Sequence, residues 1–501
     1  MYSRRRFLQA VAALAVSTPP FRSARAQTYP FALGVASGYP SPSGITLWTR
    51  IAGFQLPVPV KWEIASDESL RTVLSSGEAI AGPDWAHSVH VDVQGLEANR
   101  WYWYRFTAGD VQSPIGRTRT APGAAAPVER LRFAFASCQQ YEQGYYGAYR
   151  HIVADEPDFI AFLGDYIYES TWGKEHVRSH GAPQPYSLED YRARYALYKS
   201  DPDLQAAHAA CPWLVIWDDH EVDNDYADNR PEDGMEPEPF LRRRAAAYRA
   251  YYEHMPLPAR MRPQGPHLPL HAGIGWGRLA RVYMLDTRQH RAWQACPRPK
   301  RMGGSNTVDV ETCTALAAPG RSILGRAQER WLEGALRDSR AGWNVLAQTT
   351  RMAQFDQQPG PGRRAWTDGW DGYPAARDRL LAKLKEASNP VVIGGDIHAF
   401  QVAQLKLDFE DPDSPAVASE FLGTSITSQG WPQERLAQFL PDNPHFLMAD
   451  SRYRGYTRVE VTPKRWLADL RIVQTVQTRD TPCSTLASYV VEDGRPTPVA
   501  A

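Results

Sequence analysis

Phe159-Ile160-Ala161-Phe162-Leu163-Gly164-Asp165-Tyr166-Ile167-Tyr168-Glu169 opens with five apolar residues, then stops at a glycine and a series of groups able to do chemistry. An unbroken apolar run of that length reads as a strand buried on both faces, as in the sheets of α/β proteins. Gly164 lets the backbone turn with no Cβ in the way, so Asp165 stands beyond the strand's carboxyl end, where ligand sites of such sheets form. Asp165 and Tyr168, three apart across that turn, can converge on one ion. A phenolate is a hard anionic ligand suited to Fe(III), and a carboxylate can bridge two metals. Taken alone, Tyr168 reads first as a packing tyrosine with a satisfied hydroxyl.

The design recurs along the chain. Residues 131–136 end in Ser137-Cys138-Gln139, 213–217 in Asp218-Asp219-His220, and 281–285 in Asp286-Thr287-Arg288. Residues 391–393 end in Gly394-Gly395-Asp396-Ile397-His398, and 418–422 in Gly423-Thr424-Ser425. Helical spacing over 188–197, 238–254, 327–339 and 375–387 fills the intervals. The expectation is a sheet covered by helices, with one edge carrying every chemically capable residue. The segment Asp218-Asp219-His220-Glu221-Val222-Asp223-Asn224-Asp225 offers hard oxygen ligands and a general acid together; by itself it reads equally as a solvated acidic loop. Asp396 and His398, two apart in extended chain, point the same way and can grip neighbouring ions. Cys138, as a thiolate, is a soft donor whose pKa falls beside a cation; without the other motifs it is a buried, inert thiol. Ligand-type residues at four separate strand ends favour one shared metal centre over four packing accidents.

Upstream the pattern differs. Between residues 28 and 120 short β-type runs (45–49, 58–64, 88–93, 100–107) alternate with Gly, Pro, Asp and Asn, and the aromatic-rich Trp101-Tyr102-Trp103-Tyr104-Arg105-Phe106 follows a Gly95-Leu96 turn. This predicts a small immunoglobulin- or fibronectin-like β-sandwich over 28–120. Residues 121–127, Ala-Pro-Gly-Ala-Ala-Ala-Pro, read as a linker to a larger domain over 128–501.

The 501 residues exceed one ordinary compact domain, and 43% hydrophobic and 11% aromatic content supports a sizeable core. With 56 basic and 56 acidic residues there is no electrostatic footprint for nucleic acid, and no apolar run approaches the ~20 residues of a membrane span. Residues 1–26 are set apart. Ser3-Arg4-Arg5-Arg6-Phe7-Leu8 has the twin-arginine pattern, an Ala-rich apolar stretch follows, and Ala24-Arg25-Ala26 offers a cleavage site. The expected partner is the twin-arginine translocase and the expected location the periplasm or the exterior. Of five cysteines, Cys296 and Cys313 flank a polar, Gly-containing loop and make the expected disulfide of an oxidising compartment, with Cys138 left free.

Read together, these segments resemble the PhoD family of alkaline phosphatases and phosphodiesterases. The resemblance runs through Phe31-Ala32-Leu33-Gly34-Val35-Ala36-Ser37-Gly38, Leu47-Trp48-Thr49-Arg50, Ala136-Ser137-Cys138-Gln139 and the stretch from Phe162 to Glu169. It continues over Tyr191-Arg192 to Asp201-Pro202, Trp217 to Asn224, Tyr251-Tyr252-Glu253-His254-Met255-Pro256 and Leu285-Asp286-Thr287-Arg288-Gln289. Trp370-Asp371-Gly372-Tyr373-Pro374, Gly395 to Phe400 and Glu420 to Ser428 complete it. The resemblance implies a calcineurin-like α/β metallophosphatase sandwich, two mixed β-sheets flanked by helices and related to purple acid phosphatases, behind an N-terminal β-sandwich. It implies iron (Fe3+) on Cys138, Asp165, Tyr168 and His398. It implies calcium (Ca2+) on Asp165, Asn224 and Asp396, with Asp219 an addition; either Asp219 or Asn224 takes the place of the metal-binding Asn of related phosphatases. His220 is expected near the phosphoryl oxygens and, with Asp165, in the catalytic set; Arg288, Trp370 and Asp371 are expected as scaffold or rim.

The implied reaction is hydrolysis of small phosphomonoesters and phosphodiesters for phosphate acquisition. A phospholipase D-like diesterase acting on lipid head groups could use the same site. A non-enzymatic, calcium-stabilised extracellular binding protein is disfavoured, because calcium needs no thiolate and little nitrogen. No G-x-S-x-G elbow supports a serine hydrolase.

Overall fold

The computed structural model describes residues 29–501. The twin-arginine segment, residues 1–26, lies outside them, as does the first residue of the expected N-terminal domain. Two mixed sheets face each other. The ten-stranded sheet has at its centre three parallel strands, Leu131–Ala136, Phe159–Leu163 and Trp213–Ile216. The seven-stranded sheet has four: Ala280–Met284, Trp343–Ala347, Pro390–Gly394 and Ala416–Leu422. These central strands are predominantly apolar, broken by Arg132, Arg281, Asn344, Ser419 and Glu420, and nearly every residue in them is buried, as strands covered on both faces require. Phe133, Phe135, Ile160, Phe162 and Leu214 pack with Val282, Val345, Val391, Ile393 and Phe421 in one hydrophobic cluster that includes both sheets.

The outer faces are covered by helices. Leu188–Lys199 and Pro237–His254 contribute Tyr191, Tyr195, Tyr198, Tyr248 and Tyr251 to the cluster of the ten-stranded sheet. Leu332 and Leu336 from Gly325–Arg337, with Leu380, Leu381 and Leu384 from Pro374–Leu384, form a second cluster with Leu346 and Val392 of the other sheet. Each helix has a local reason to begin where it does. Ser187 and Asp190 close a capping box on the first, Asp201 caps Pro202–Ala210, and Pro237 and Pro374 sit at first-turn positions where a missing N–H costs nothing.

The early β-region is stitched into this frame. Val35–Ser41 pairs in parallel with Trp213–Ile216, so it, Gly44–Arg50 and Ser88–Gln94 extend the ten-stranded sheet. A separate five-stranded sheet holds Val58–Ala65, Val73–Ala81 and Trp101–Ala108, and Val60, Ile64, Tyr104 and Phe106 pack against Ile45, Leu47 and Val93. The 121–127 segment is pinned at both ends, Ala121 N–H donating to Ser41 O at 3.0 Å and Arg278 N–H to Ala126 O at 3.0 Å. At the far end, Arg454–Val461, Arg465–Val473, Cys483–Glu492 and Arg495–Ala500 complete the large sheet on its other side. A Cys296–Cys313 disulfide with an S–S distance of 2.04 Å closes the long loop over those residues; Cys138, Cys211 and Cys483 are free.

The carboxyl ends of the two parallel sets meet. Ser137 bridges Ser425 in parallel, and a Cβ on Gly395 would lie 2.3 Å from Ser137 Oγ. Only glycine lets the two sheet ends approach this closely.

Candidate metal centre

At that meeting point the loops expected to carry ligands come together. One ligand atom from each of Cys138, Asp165 and His398 lies within 4.8 Å of the others, and the same holds for Asp165, Asp219 and His220. Asp165 belongs to both groups, the position of a bridging carboxylate. Tyr168 Oη donates to Asp165 Oδ2 at 2.9 Å and lies 3.2 Å from His398 Nε2. Asp396 accepts from Thr350 Oγ1 at 2.6 Å and lines the same cleft as Asp165, Asp219, His220, Asn224 and His398. Cys138 and Tyr168 are shut from solvent behind them.

Backbone conformation places these groups. Cys138, Asp165, Asp396 and His398 have φ of 58°, 59°, 65° and 55°, a left-handed region that non-glycine residues seldom occupy. Each follows a parallel strand by two to four residues, so these three strand ends are bent in the same way toward a common point. Glu221 helps hold the bends: its carboxylate accepts from the N–H groups of Asp165 (3.2 Å), Tyr166 (2.5 Å) and Asp218 (2.8 Å).

Partners fix which atoms are left over. His398 Nδ1 donates to Gln429 O at 2.6 Å, leaving the Nε2 lone pair toward Tyr168 and Asp165. His220 Nδ1 donates to Glu169 Oε2 at 2.7 Å, which turns its other nitrogen to the cleft. Asn224 Nδ2 donates to Glu232 Oε2 at 2.6 Å, and Glu232 is in turn ion-paired with Arg301 of the disulfide-closed loop. Asn224 thus stands at the cleft wall with its carbonyl oxygen unclaimed by Glu232. Asp219 and Asp225 also approach Asp368, with Arg288 among the carboxylates: its Nε donates to Asp218 at 2.5 Å and its Nη2 lies 2.8 Å from Asp368. Arg288 is therefore a scaffold group, and Asp371, held by Arg377 at 2.5 Å, is another.

The electrostatics ask for a cation. Asp165 Oδ1 is buried without a hydrogen-bond partner, a costly state for a carboxylate oxygen unless an ion claims it, and Asp219 Oδ1, also without a hydrogen bond, has Arg288 Nη2 only at 3.5 Å. Burial, then the neighbouring charges of Asp218 and Asp219, push the Asp396 carboxyl well up; burial and Asp165 do the same to the Cys138 thiol and the Tyr168 phenol. Burial disfavours the His220 cation, but the charges of Glu169, Asp219 and Asp165 outweigh it and push the ring's pKa up. Burial lowers His398 to about 3, so it offers a neutral nitrogen. Thiolate, phenolate, imidazole and carboxylates crowded at one point make a mixed donor set that suits a trivalent transition metal, and the oxygen-rich side beyond Asp165 suits a hard divalent ion.

Sequence reasoning missed Glu169 as the partner of His220 and Glu221 as the clamp of the turns. Each is a lone carboxylate whose role depends on partners its neighbours in sequence do not reveal. Glu169 did carry one signal, its position at the end of the Gly164–Glu169 motif.

A buried, multi-donor metal centre at the carboxyl ends of parallel strands, opening into a cleft of about 1080 Å³, defines a metal-dependent hydrolase. The PhoD-like phosphatase family matches residues 133–470, and the PhoD-like phosphatase N-terminal domain matches residues 15–122. Alkaline phosphatase D of Bacillus subtilis (strain 168) is 44% identical over 97% of this chain and 84% of its own length. A solved structure of PhoD superposes with a TM-score of 0.89 at 43% identity, covering 97% of this chain and 93% of that one. The chain belongs to the PhoD-like phosphatase family, and as such is a phosphoric-ester hydrolase.

Proposed function

We propose that the chain is an exported enzyme hydrolysing small phosphomonoesters and phosphodiesters with iron and calcium in this centre. Cys138, Asp165, Tyr168 and His398 would hold Fe3+; Asp165, Asn224 and Asp396, with Asp219, would hold Ca2+. The observation that carries this is the convergence of Cys138, Asp165 and His398 ligand atoms within 4.8 Å, with the Tyr168 hydroxyl against two of the three. Calcium alone recruits no thiolate, and a structural zinc site would not place a phenol there.

Bound cations would supply Lewis-acid polarisation of the phosphoryl oxygens and an activated water at accessible pH. The chain's own groups supply the rest. Glu169 fixes the orientation of the His220 ring, and the other ring nitrogen faces the cleft, where in its protonated form it can donate to a phosphoryl or leaving-group oxygen. Asp165 spans both ligand groups and sets their spacing.

The fold reading that goes with this is a calcineurin-like metallophosphatase sandwich over 128–501, preceded by a linker at 121–127 and an immunoglobulin- or fibronectin-like sandwich over 28–120. Two facing mixed sheets with helices outside, and an early five-stranded sheet sharing a hydrophobic core with the early strands that extend the ten-stranded sheet, support it. Ser3-Arg4-Arg5-Arg6-Phe7-Leu8 supports export by the twin-arginine translocase to the periplasm or beyond, with phosphate acquisition as the purpose. Among the described residues no helix is long and apolar enough to cross a membrane.

The test is turnover of p-nitrophenyl phosphate and bis(p-nitrophenyl) phosphate before and after metal removal. Activity lost to a chelator and restored by iron with calcium is the expected result. Full activity in metal-stripped protein would refute the reading.

A further inference from the structure

The cleft wall holds a buried cation that feels the charges of Asp371, Glu420 and Asp396 but is in contact with none of them. Arg351 is only 4% exposed, and it lines the cleft beside Asp396, Ile397 and His398 with its guanidinium 4.1 Å from the Phe355 ring centre. Its side chain makes no hydrogen bond or ion pair among the described residues, and the carboxylates around it are engaged elsewhere. Asp371 accepts from the Phe355 N–H at 3.0 Å and from Arg377 at 2.5 Å. Glu420 accepts from the N–H groups of Met352 at 2.6 Å and Ala353 at 2.9 Å, and Asp396 accepts from Thr350. Other buried arginines are anchored: Arg288 and Arg291 to Asp368, Arg454 to the His398 carbonyl.

A guanidinium cannot shed its charge to escape burial, as a lysine can, and its five donors need acceptors. Stacking on Phe355 stabilises the plane but satisfies no N–H. The acceptors it lacks within the protein lie on the cleft side, and an oxyanion would supply them with the charge that water there does not. A phosphate group, tetrahedral and with two or more oxygens on one side, matches the fork of an arginine.

We propose that Arg351 is a substrate-binding residue that receives non-bridging oxygens of the substrate's phosphate group, and that it biases the site toward dianionic monoesters. This rests on the phosphoesterase reading above. A monoester presents more charge to the guanidinium than a singly charged diester, so the bias follows from the same contact. No bond forms or breaks at Arg351.

The test uses metal-loaded wild-type protein, Arg351→Met and Arg351→Lys, each checked for metal content. Inorganic phosphate is titrated calorimetrically, and kcat and KM are measured on p-nitrophenyl phosphate and bis(p-nitrophenyl) phosphate. For Arg351→Met the expected result is phosphate binding at least tenfold weaker and a monoester kcat/KM loss at least fivefold greater than the diester loss, with metal retained. Phosphate affinity within twofold of wild type, or equal losses on the two esters, overturns the proposal. Should Arg351→Met fail to fold or to hold metal, Arg351→Lys decides: phosphate binding at least threefold weaker with metal retained supports the fork contact, and wild-type affinity overturns it. A wild-type protein that neither binds phosphate nor cleaves either ester would instead overturn the activity reading itself.

Discussion

Cys138, Asp165, Asp396 and His398 all hold left-handed backbone conformations, each costing on the order of 1 kcal/mol or more for a residue with a Cβ. Such strain persists where surrounding structure over-determines it. Gly164, at φ +94°, is the hinge of one such bend, and a Cβ there would sit 2.6 Å from Asp218 Cβ and 2.8 Å from Asp218 N. Gly164→Ala is expected to lower stability by roughly 2 kcal/mol and to cut iron content, because relief moves Asp165 and Asp218 together. Thermal melts and elemental analysis check it; an unchanged melting temperature counts against the bend's role. Glu169→Gln keeps a hydrogen-bond acceptor for His220 and removes the charge. It is expected to lower kcat by about 10–100-fold with little change in KM, in steady-state assays on p-nitrophenyl phosphate. The candidate ligands at the strand ends stood out in sequence because each interrupts an apolar run with a group that has no place in a core. Glu169, Glu221 and Arg351 did not, since their meaning lies in partners supplied by other elements or left absent.

Among the elements, six of the seven central strands and four of the longer helices were legible from their length and period, whereas the strand Trp343–Ala347, with Asn344 inside it, and the helix Pro202–Ala210 were not anticipated. The strands from Arg454 to Ala500 were not anticipated: they lie at the large sheet's side, partly exposed, with Arg, Asp, Ser and Thr interrupting the pattern. Pairing across the early β-region was equally hidden, because a local pattern does not say which distant strand a strand joins. One side chain makes this junction sensitive to acid. His90, on Ser88–Gln94, stacks on Tyr252 of Pro237–His254 with ring centres 4.3 Å apart, its Nδ1 donates to Leu257 O at 2.9 Å, and its Nε2 is buried without a partner. Burial lowers its pKa to about 4, with Asp92 opposing that shift and Arg262 reinforcing it. Between about pH 6.5 and pH 4 the unfolded chain binds the proton and the folded one does not. This contribution to stability is whole above pH 6.5 and is lost as pH falls toward 4. His90→Gln should flatten the slope of melting temperature against pH in that window, and an unaltered slope would exclude the residue as its source. The Cys296–Cys313 link closes a short loop that contributes Arg301 to Glu232 and the Ser305 N–H to Asp225. Removing both cysteines should cost about 3 kcal/mol in denaturant unfolding and weaken calcium binding through the Arg301–Glu232–Asn224 chain.

For the whole molecule, two sheets that share a core also aim the carboxyl ends of their parallel strands at one point, with a cleft above it. The sequence led to the expectation that these strand ends share one site, but not to the facing of two separate sheets that brings them together. The proposed export is tested at this scale too: Arg4→Lys with Arg5→Lys should hold the protein in the cytoplasm, and cell fractionation that still finds the variant exported would refute it. The claim beneath the rest is that distant loops form one centre in which Tyr168 binds iron beside Cys138, Asp165 and His398. Metal analysis of the native protein, paired with visible absorption spectra of wild type and Tyr168→Phe, tests this most directly. Stoichiometric iron and a tyrosinate-to-iron charge-transfer band that disappears in Tyr168→Phe is the result expected. A colourless, iron-free protein with full phosphatase activity would contradict it.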